Sequence, residues 1–161
     1  IILTNSEVLI DLGSVAKGYI ADKMASYLKN QGVESGVVNA RGDIVVFGGD
    51  YVPIGIQNPR KKELLGTINL KNASIATSGD YKQYYKSFSK SHIINSKDAI
   101  SVSIIADTLF EAEIYSTAFF VADTKLKHSL LNKNKLVKAL IIDKDMNMDY
   151  YNGFEKLLVK K

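Results

Sequence analysis

The spacing of hydrophobic and polar positions changes several times along the chain. Residues 7–10 are apolar at short intervals and predict the end of a strand. From Ser14 the interval lengthens. Val15, Ala16, Tyr19, Ile20, Met24, Tyr27 and Leu28 recur at helical spacing, which predicts a helix to about residue 30 with Gly32 as its stop. Short β-rich runs follow at 35–39, 44–47, 51–57, 65–70 and 74–77. Gly48-Gly49-Asp50 reads as a hairpin turn, and Asn58-Pro59-Arg60 as a loop that ends a strand. Residues 91–94 suit another strand, and the β-branched run at 100–106 suits a central one.

Asp107 and Thr108 can cap a second helix over about 108–122, whose apolar residues are Leu109, Ala112, Ile114, Phe119 and Phe120. Residues 124–133 predict a short third helix, 136–143 a strand, 145–147 a turn, and 150–159 a closing hairpin arm. No internal repeat, linker or low-complexity tract interrupts this order. Strand, helix, β-meander, helix, strand predicts an α+β fold, a largely antiparallel β-sheet with two main helices and a short third. The expectation is a single domain over 1–161.

Composition narrows the function classes. Hydrophobic residues make up 46% and charged residues 24% of 161 residues, which fits a globular domain and excludes a disordered one. No apolar run approaches the roughly 18 residues that span a bilayer. With no cysteine there is no disulfide, thiolate metal site or Cys nucleophile. The net charge of +4 comes from the C-terminal end: residues 124–161 carry nine Lys/Arg against four Asp/Glu, while residues 1–123 net −1. These lysines are spread singly and read as a solvated face, so no nucleic-acid partner is expected. The chain begins Ile1-Ile2-Leu3 without Met and shows no basic stretch followed by an apolar one.

Four segments combine Gly, acids and hydroxyls. In Asp11-Leu12-Gly13-Ser14-Val15-Ala16-Lys17-Gly18-Tyr19 a strand feeds a helix start through Gly and Ser. Such a start offers free N–H groups and a positive dipole end to a phosphate, with Lys17 as a point charge and Asp11 as an acceptor for a ribose or amide donor. The same residues also suit an N-capped helix with a solvated Lys. In Asn39-Ala40-Arg41-Gly42-Asp43, Gly42 permits close backbone approach and Asp43 is a polar handle. Thr77-Ser78-Gly79 after a strand suits either an anion-cradling loop or an ordinary ST-turn. Glu113 and Thr117, with Ser116 between them, share one helix face, which fits either a hard-oxygen pair for Mg²⁺ or a solvated surface. His92 stands in Ser91-His92-Ile93-Ile94, and His128 reads as a surface residue on a basic helix.

In this order the segments resemble the ApbE family of FAD:protein FMN transferases. The matching stretches are DLGSVAKGY at 11–19, RGD at 41–43, PIGIQNPR at 53–60, IATSGDY at 75–81, SHIIN at 91–95 and AEIYST at 112–117. The resemblance implies an ApbE-like, T-fold-like architecture and a chain forming the C-terminal portion of such a transferase. It implies Mg²⁺-dependent transfer of the FMN half of FAD to a Thr or Ser hydroxyl of an acceptor protein, with release of AMP. Mg²⁺ would be held by Glu113, Thr117 and the carbonyl of Ser14, with Ser116 nearby. Asp11, Lys17, Gly42, Asp43 and the residues Thr77, Ser78 and Gly79 would hold FAD, and His92 would take the acceptor's proton. Two alternatives share these residues: an FAD-binding protein without transfer, and a Mg²⁺-dependent pyrophosphatase giving FMN and AMP. The resemblance further implies an extracytoplasmic protein on the cytoplasmic membrane, reached only through a lipid anchor outside this chain, with a cytoplasmic place as the alternative. Three departures stand out: Glu113 replaces the family's usual Asp, Arg41 replaces a Gly, and 95–99 differs from the usual loop after the histidine.

Overall fold

A computed structural model describes residues 12–81 and 98–160. The strands expected at 7–10 and 91–94, together with Asp11 and His92, lie outside the described residues. The described elements run α1 (Ala16–Asn30), β1 (Gly36–Ala40), β2 (Asp43–Phe47), β3 (Val52–Gln57), β4 (Leu64–Leu70), β5 (Ala73–Gly79), β6 (Ala99–Ala106), α2 (Leu109–Val121), α3 (Thr124–Lys133), β7 (Lys138–Asp143), β8 (Met148–Tyr151), a 3₁₀ turn (Phe154–Lys156) and β9 (Leu158–Lys160).

The strands form two sheets, with every pairing antiparallel. One has six strands in the order β1-β2-β5-β6-β7-β8, and the other has three in the order β3-β4-β9. Strand alternation explains why three layers result. On β2, Val45 and Phe47 join a core with Leu109, Ala112, Phe119 and Phe120 of α2, while Val46 joins a second core with Ile54, Ile56 and Ile68 of the small sheet. The large sheet is therefore covered by helices on one face and by the small sheet on the other. β6 lies inside this stack, and all eight of its residues are buried, which fits the central place expected from its β-branched residues Ile100, Val102, Ile104 and Ile105.

Four expectations need correction. Gly48-Gly49-Asp50 is not a hairpin turn, since β2 and β3 belong to different sheets. Its left-handed glycines (φ 62° and 57°) carry the chain from one layer to the next, and a Cβ at Gly48 would lie 1.8 Å from the Glu34 carbonyl oxygen. The closing arm at 150–159 is also not one strand. It ends β8 on the large sheet and turns through Asn152 and Gly153, both at positive φ. Buried Phe154 follows, and then β9 pairs with β4. Finally, α1 buries a stripe of small residues, Gly18, Ala21 and Ala25, and leaves Tyr19, Ile20, Met24 and Tyr27 exposed. The reason is close approach: a Cβ at Gly18 would lie 2.6 Å from the Leu109 carbonyl oxygen on α2. Ser14 does not cap α1 either; the N-cap is Val15, with no side-chain bond.

Candidate functional site

The N-terminus of α1, the start of β2, the end of β5 and the middle of α2 meet at one place. Gly18 N–H, in the first turn of α1, donates to Glu113 Oε2 at 2.7 Å. Lys17 Nζ donates to the other oxygen of the same carboxylate and pairs with Asp43 Oδ2 at 3.1 Å. Both carboxylates are buried, while the Lys17 side chain keeps 42% of its surface exposed. Burial pulls the Lys17 pKa down, but its bonds to Glu113 and Asp43 outweigh burial and hold the ammonium above its ordinary value. The helix-start amide and the point charge expected to face a phosphate are thus shared with two internal carboxylates.

Thr77, Ser78 and Gly79 are strand residues rather than a loop. β6 runs on far enough to pair Ser103, Val102 and Ser101 against them. Thr77 N–H donates to Asp43 Oδ1 at 3.1 Å, and its hydroxyl lies 2.9 Å from Ser103 Oγ. Ser78 Oγ lies 2.9 Å from Ser116 Oγ and 3.4 Å from Thr117 Oγ1. Ser116 also donates to the Glu113 carbonyl at 3.0 Å. A Cβ at Gly79 would lie 2.4 Å from the Tyr81 ring, so that glycine makes room for Tyr81. Gly42, at φ 98°, donates its N–H to Asn39 Oδ1 at 2.8 Å.

Of the residues singled out in the sequence, Lys17, Asp43 and Glu113 form one ionic cluster. Thr77 links it to the strand, and Ser78, Ser116 and Thr117 form an adjoining hydroxyl cluster. Ser14 lies in the exposed turn ahead of α1. His128 is exposed, with its ring set edge-on to Tyr151. Beside the cluster a cavity of about 330 Å³ opens between the sheets, with Gly42, Thr77, Ser103 and Tyr81 at its polar side and Ile44, Ile54, Ile56 and Ile75 among its apolar walls.

Sequence reasoning missed two positioning residues. Asp22, one turn beyond Gly18, accepts from the N–H groups of Leu109 at 2.9 Å and Phe110 at 2.8 Å, so α1 caps α2. Thr108 caps the same helix through the Glu111 N–H. Arg60 donates to both oxygens of Asp80, at 2.8 and 2.7 Å, and ties the β3–β4 connection to the end of β5. Neither pairing has a local signal, because the partners are far apart in sequence.

Among the described residues no three His, Cys, Asp or Glu side chains cluster. An ion held here must draw on hydroxyl and carbonyl oxygens as well as on Glu113. The donors that α2 presents, Glu113, Ser116 and Thr117, are all hard oxygens, which fits Mg²⁺ and not a soft metal. The Lys17 ammonium on Glu113 shows that this carboxylate accepts a cation as its partner.

The family model described as the ApbE family matches residues 1–141. A protein of Buchnera aphidicola named "FAD:protein FMN transferase" is 31% identical over 93% of this chain and 49% of its own length. A Klebsiella pneumoniae protein of the same name is 27% identical over 86% of this chain and 47% of its own length. The crystal structure of the ApbE protein of Thermotoga maritima superposes with a TM-score of 0.83 at 28% identity, covering 96% of this chain and 55% of that one. The flavin transferase ApbE of Vibrio cholerae gives 0.77 at 25% identity, covering 94% and 53%. The chain spans about half the length of the curated relatives it matches.

Proposed function

The chain belongs to the ApbE family, and we propose that it forms part of a Mg²⁺-dependent transferase that moves the FMN moiety of FAD onto a Thr or Ser hydroxyl of an acceptor protein. The names of its relatives support the flavin-transfer activity. The observation that carries the reading is the cluster in which the start of α1 meets Glu113 and Asp43 beside a cavity with apolar walls. A dinucleotide needs both parts: cationic and N–H groups at its diphosphate, and an apolar slot for a planar ring.

In this reading the acceptor oxygen attacks the FMN-side phosphorus, and the bond from that phosphorus to the bridging oxygen breaks. AMP leaves with the electron pair, and His92 takes the acceptor's proton. Lys17 faces the diphosphate from the start of α1, Asp43 orients Lys17, and Thr77 and Ser103 line the cavity. Glu113, Thr117 and the Ser14 carbonyl would hold Mg²⁺, with Ser116 bracing the Glu113 turn. Bound there, Mg²⁺ supplies positive charge against the diphosphate oxygens. An extracytoplasmic place, with a lipid anchor outside these residues, belongs to the same proposal and is read by cell fractionation.

The test is incubation of the full-length protein with FAD, Mg²⁺ and a Thr-containing acceptor, read by intact mass. A gain of one FMN unit on the acceptor supports the reading. Unmodified acceptor with intact FAD overturns it, and free FMN formed without acceptor replaces it with hydrolysis.

A further inference from the structure

We propose that Arg41 is a specificity residue that binds a phosphate oxygen of the ligand seated in the cavity between the sheets. The proposal rests on the dinucleotide reading above.

Arg41 and Gly42 form a two-residue hairpin turn, since Ala40 pairs with Asp43 across β1 and β2. Both turn residues have positive φ, 58° and 98°, the geometry of a type I′ turn. Such a turn favours Asn or Gly at its first position, because a Cβ crowds the following carbonyl in left-handed backbone. A long cationic side chain here is therefore a local cost to the fold. Nothing within the described structure offsets it: the side chain is exposed, and the Arg41 guanidinium has no ion pair or hydrogen bond among the described residues. Strained backbone that brings no internal contact points to a role outside the fold.

The location says which role. Arg41, exposed to solvent, is one of the residues that line the cavity, together with Gly42 and Thr77, and lies two residues along the chain from Asp43. The other nearby cations each also hold a carboxylate. Lys17 is shared by Asp43 and Glu113, and Arg60 is held by both oxygens of Asp80. The isoleucine walls of the cavity cannot read charge. A guanidinium here presents several N–H donors in a plane, which matches the oxygens of a phosphate better than a neutral ring carbonyl. The partner is thus an anionic phosphoryl group carried by a ligand whose apolar end fills the cavity.

The test uses Arg41→Gly in the full-length protein, because glycine suits this backbone and the variant keeps the fold. FAD affinity is measured by quenching of flavin fluorescence at several salt concentrations. The expected result is a dissociation constant raised about tenfold, with a weaker salt dependence and no loss of melting temperature. An unchanged constant overturns the proposal. So does a raised constant with an unchanged salt dependence, which makes Arg41 a matter of shape. If Arg41→Gly lowers the melting temperature, Arg41→Asn, which also tolerates left-handed backbone, takes its place under the same criteria. Failure of the unaltered protein to bind FAD overturns the dinucleotide reading and this inference together. FAD binding with no effect of Arg41 overturns this inference alone.

Discussion

The backbone N–H of Gly18 donates to Glu113 Oε2 at 2.7 Å, so the first turn of α1 is fixed on a carboxylate in the second turn of α2. The approach that makes this bond leaves no room for a side chain. A Cβ at Gly18 would lie 2.6 Å from Leu109 O and 2.8 Å from Phe110 Cα, both backbone atoms. Gly18→Ala must push α1 away from α2 and break the bond to Glu113. The expected cost is about 1–3 kcal/mol in urea unfolding. FAD affinity should fall as well, because Lys17 moves with the helix. Unfolding and binding unchanged from the parent protein would show that the helices separate freely.

Glu113 serves both helices, and its charge can be removed with little change of shape. In Glu113→Gln the side-chain carbonyl can still accept from Gly18 N–H, but the amide turns N–H groups towards the Lys17 ammonium. The expected cost is about 1–3 kcal/mol, from one charge-assisted bond lost and one donor left facing another. The variant should stay folded in circular dichroism while FMN transfer to an acceptor, read by intact mass, disappears. Transfer at the parent rate would remove the Glu113 charge from the proposed chemistry.

The elements of this fold were legible in the sequence, while several of their contacts were not. β6 could be read because a strand covered on both faces needs no polar positions, and residues 100–106 are apolar or small. The segments that meet around Lys17, Asp43 and Glu113 could be picked out because glycines, acids and hydroxyls recur in them in a way that a core does not require. The buried face of α1 could not. Periodicity locates an apolar arc, but contact with α2 at backbone distance selects the small residues Gly18, Ala21 and Ala25 over the larger Tyr19, Ile20 and Met24. The extent of β5 depended on its partner, since Thr77–Gly79 is strand only because Ser101–Ser103 lies beside it. Asp22 and the Arg60–Asp80 pair have their partners across the fold, where no window along the sequence reaches.

The Arg60–Asp80 pair links the small sheet to the edge of the cavity. Both Asp80 oxygens are taken, and the bonds to Asp80 outweigh burial to hold the guanidinium pKa above its ordinary value. Arg60→Ala leaves the buried Asp80 carboxylate without this partner, and the expected cost is about 1–3 kcal/mol. Arg60→Lys should recover only part of it, because an ammonium cannot meet both oxygens in the same plane. A double-mutant cycle with Asp80→Asn should return a favourable coupling energy in urea unfolding. Additive losses would make the pair a surface contact without energetic weight.

Lys17 is the shared counter-ion of two buried carboxylates, and its removal takes that positive charge away from both Asp43 and Glu113. Lys17→Met keeps the length of the aliphatic stem and deletes only the charge. The side chain is partly exposed, so water screens some of the loss, and a cost of about 1–3 kcal/mol is expected at neutral pH. The pH dependence has a definite sign. The folded-state pKa of Lys17 is raised above the unfolded value of 10.5. The stability it contributes is therefore fully present below 10.5 and is lost as pH rises through the higher folded value. The gap between the parent protein and Lys17→Met, measured by urea unfolding, should be constant from neutral pH into the mildly alkaline range and close only above 10.5. A gap that stays constant across the whole range would mean that the ammonium acts by its bulk and not by its charge.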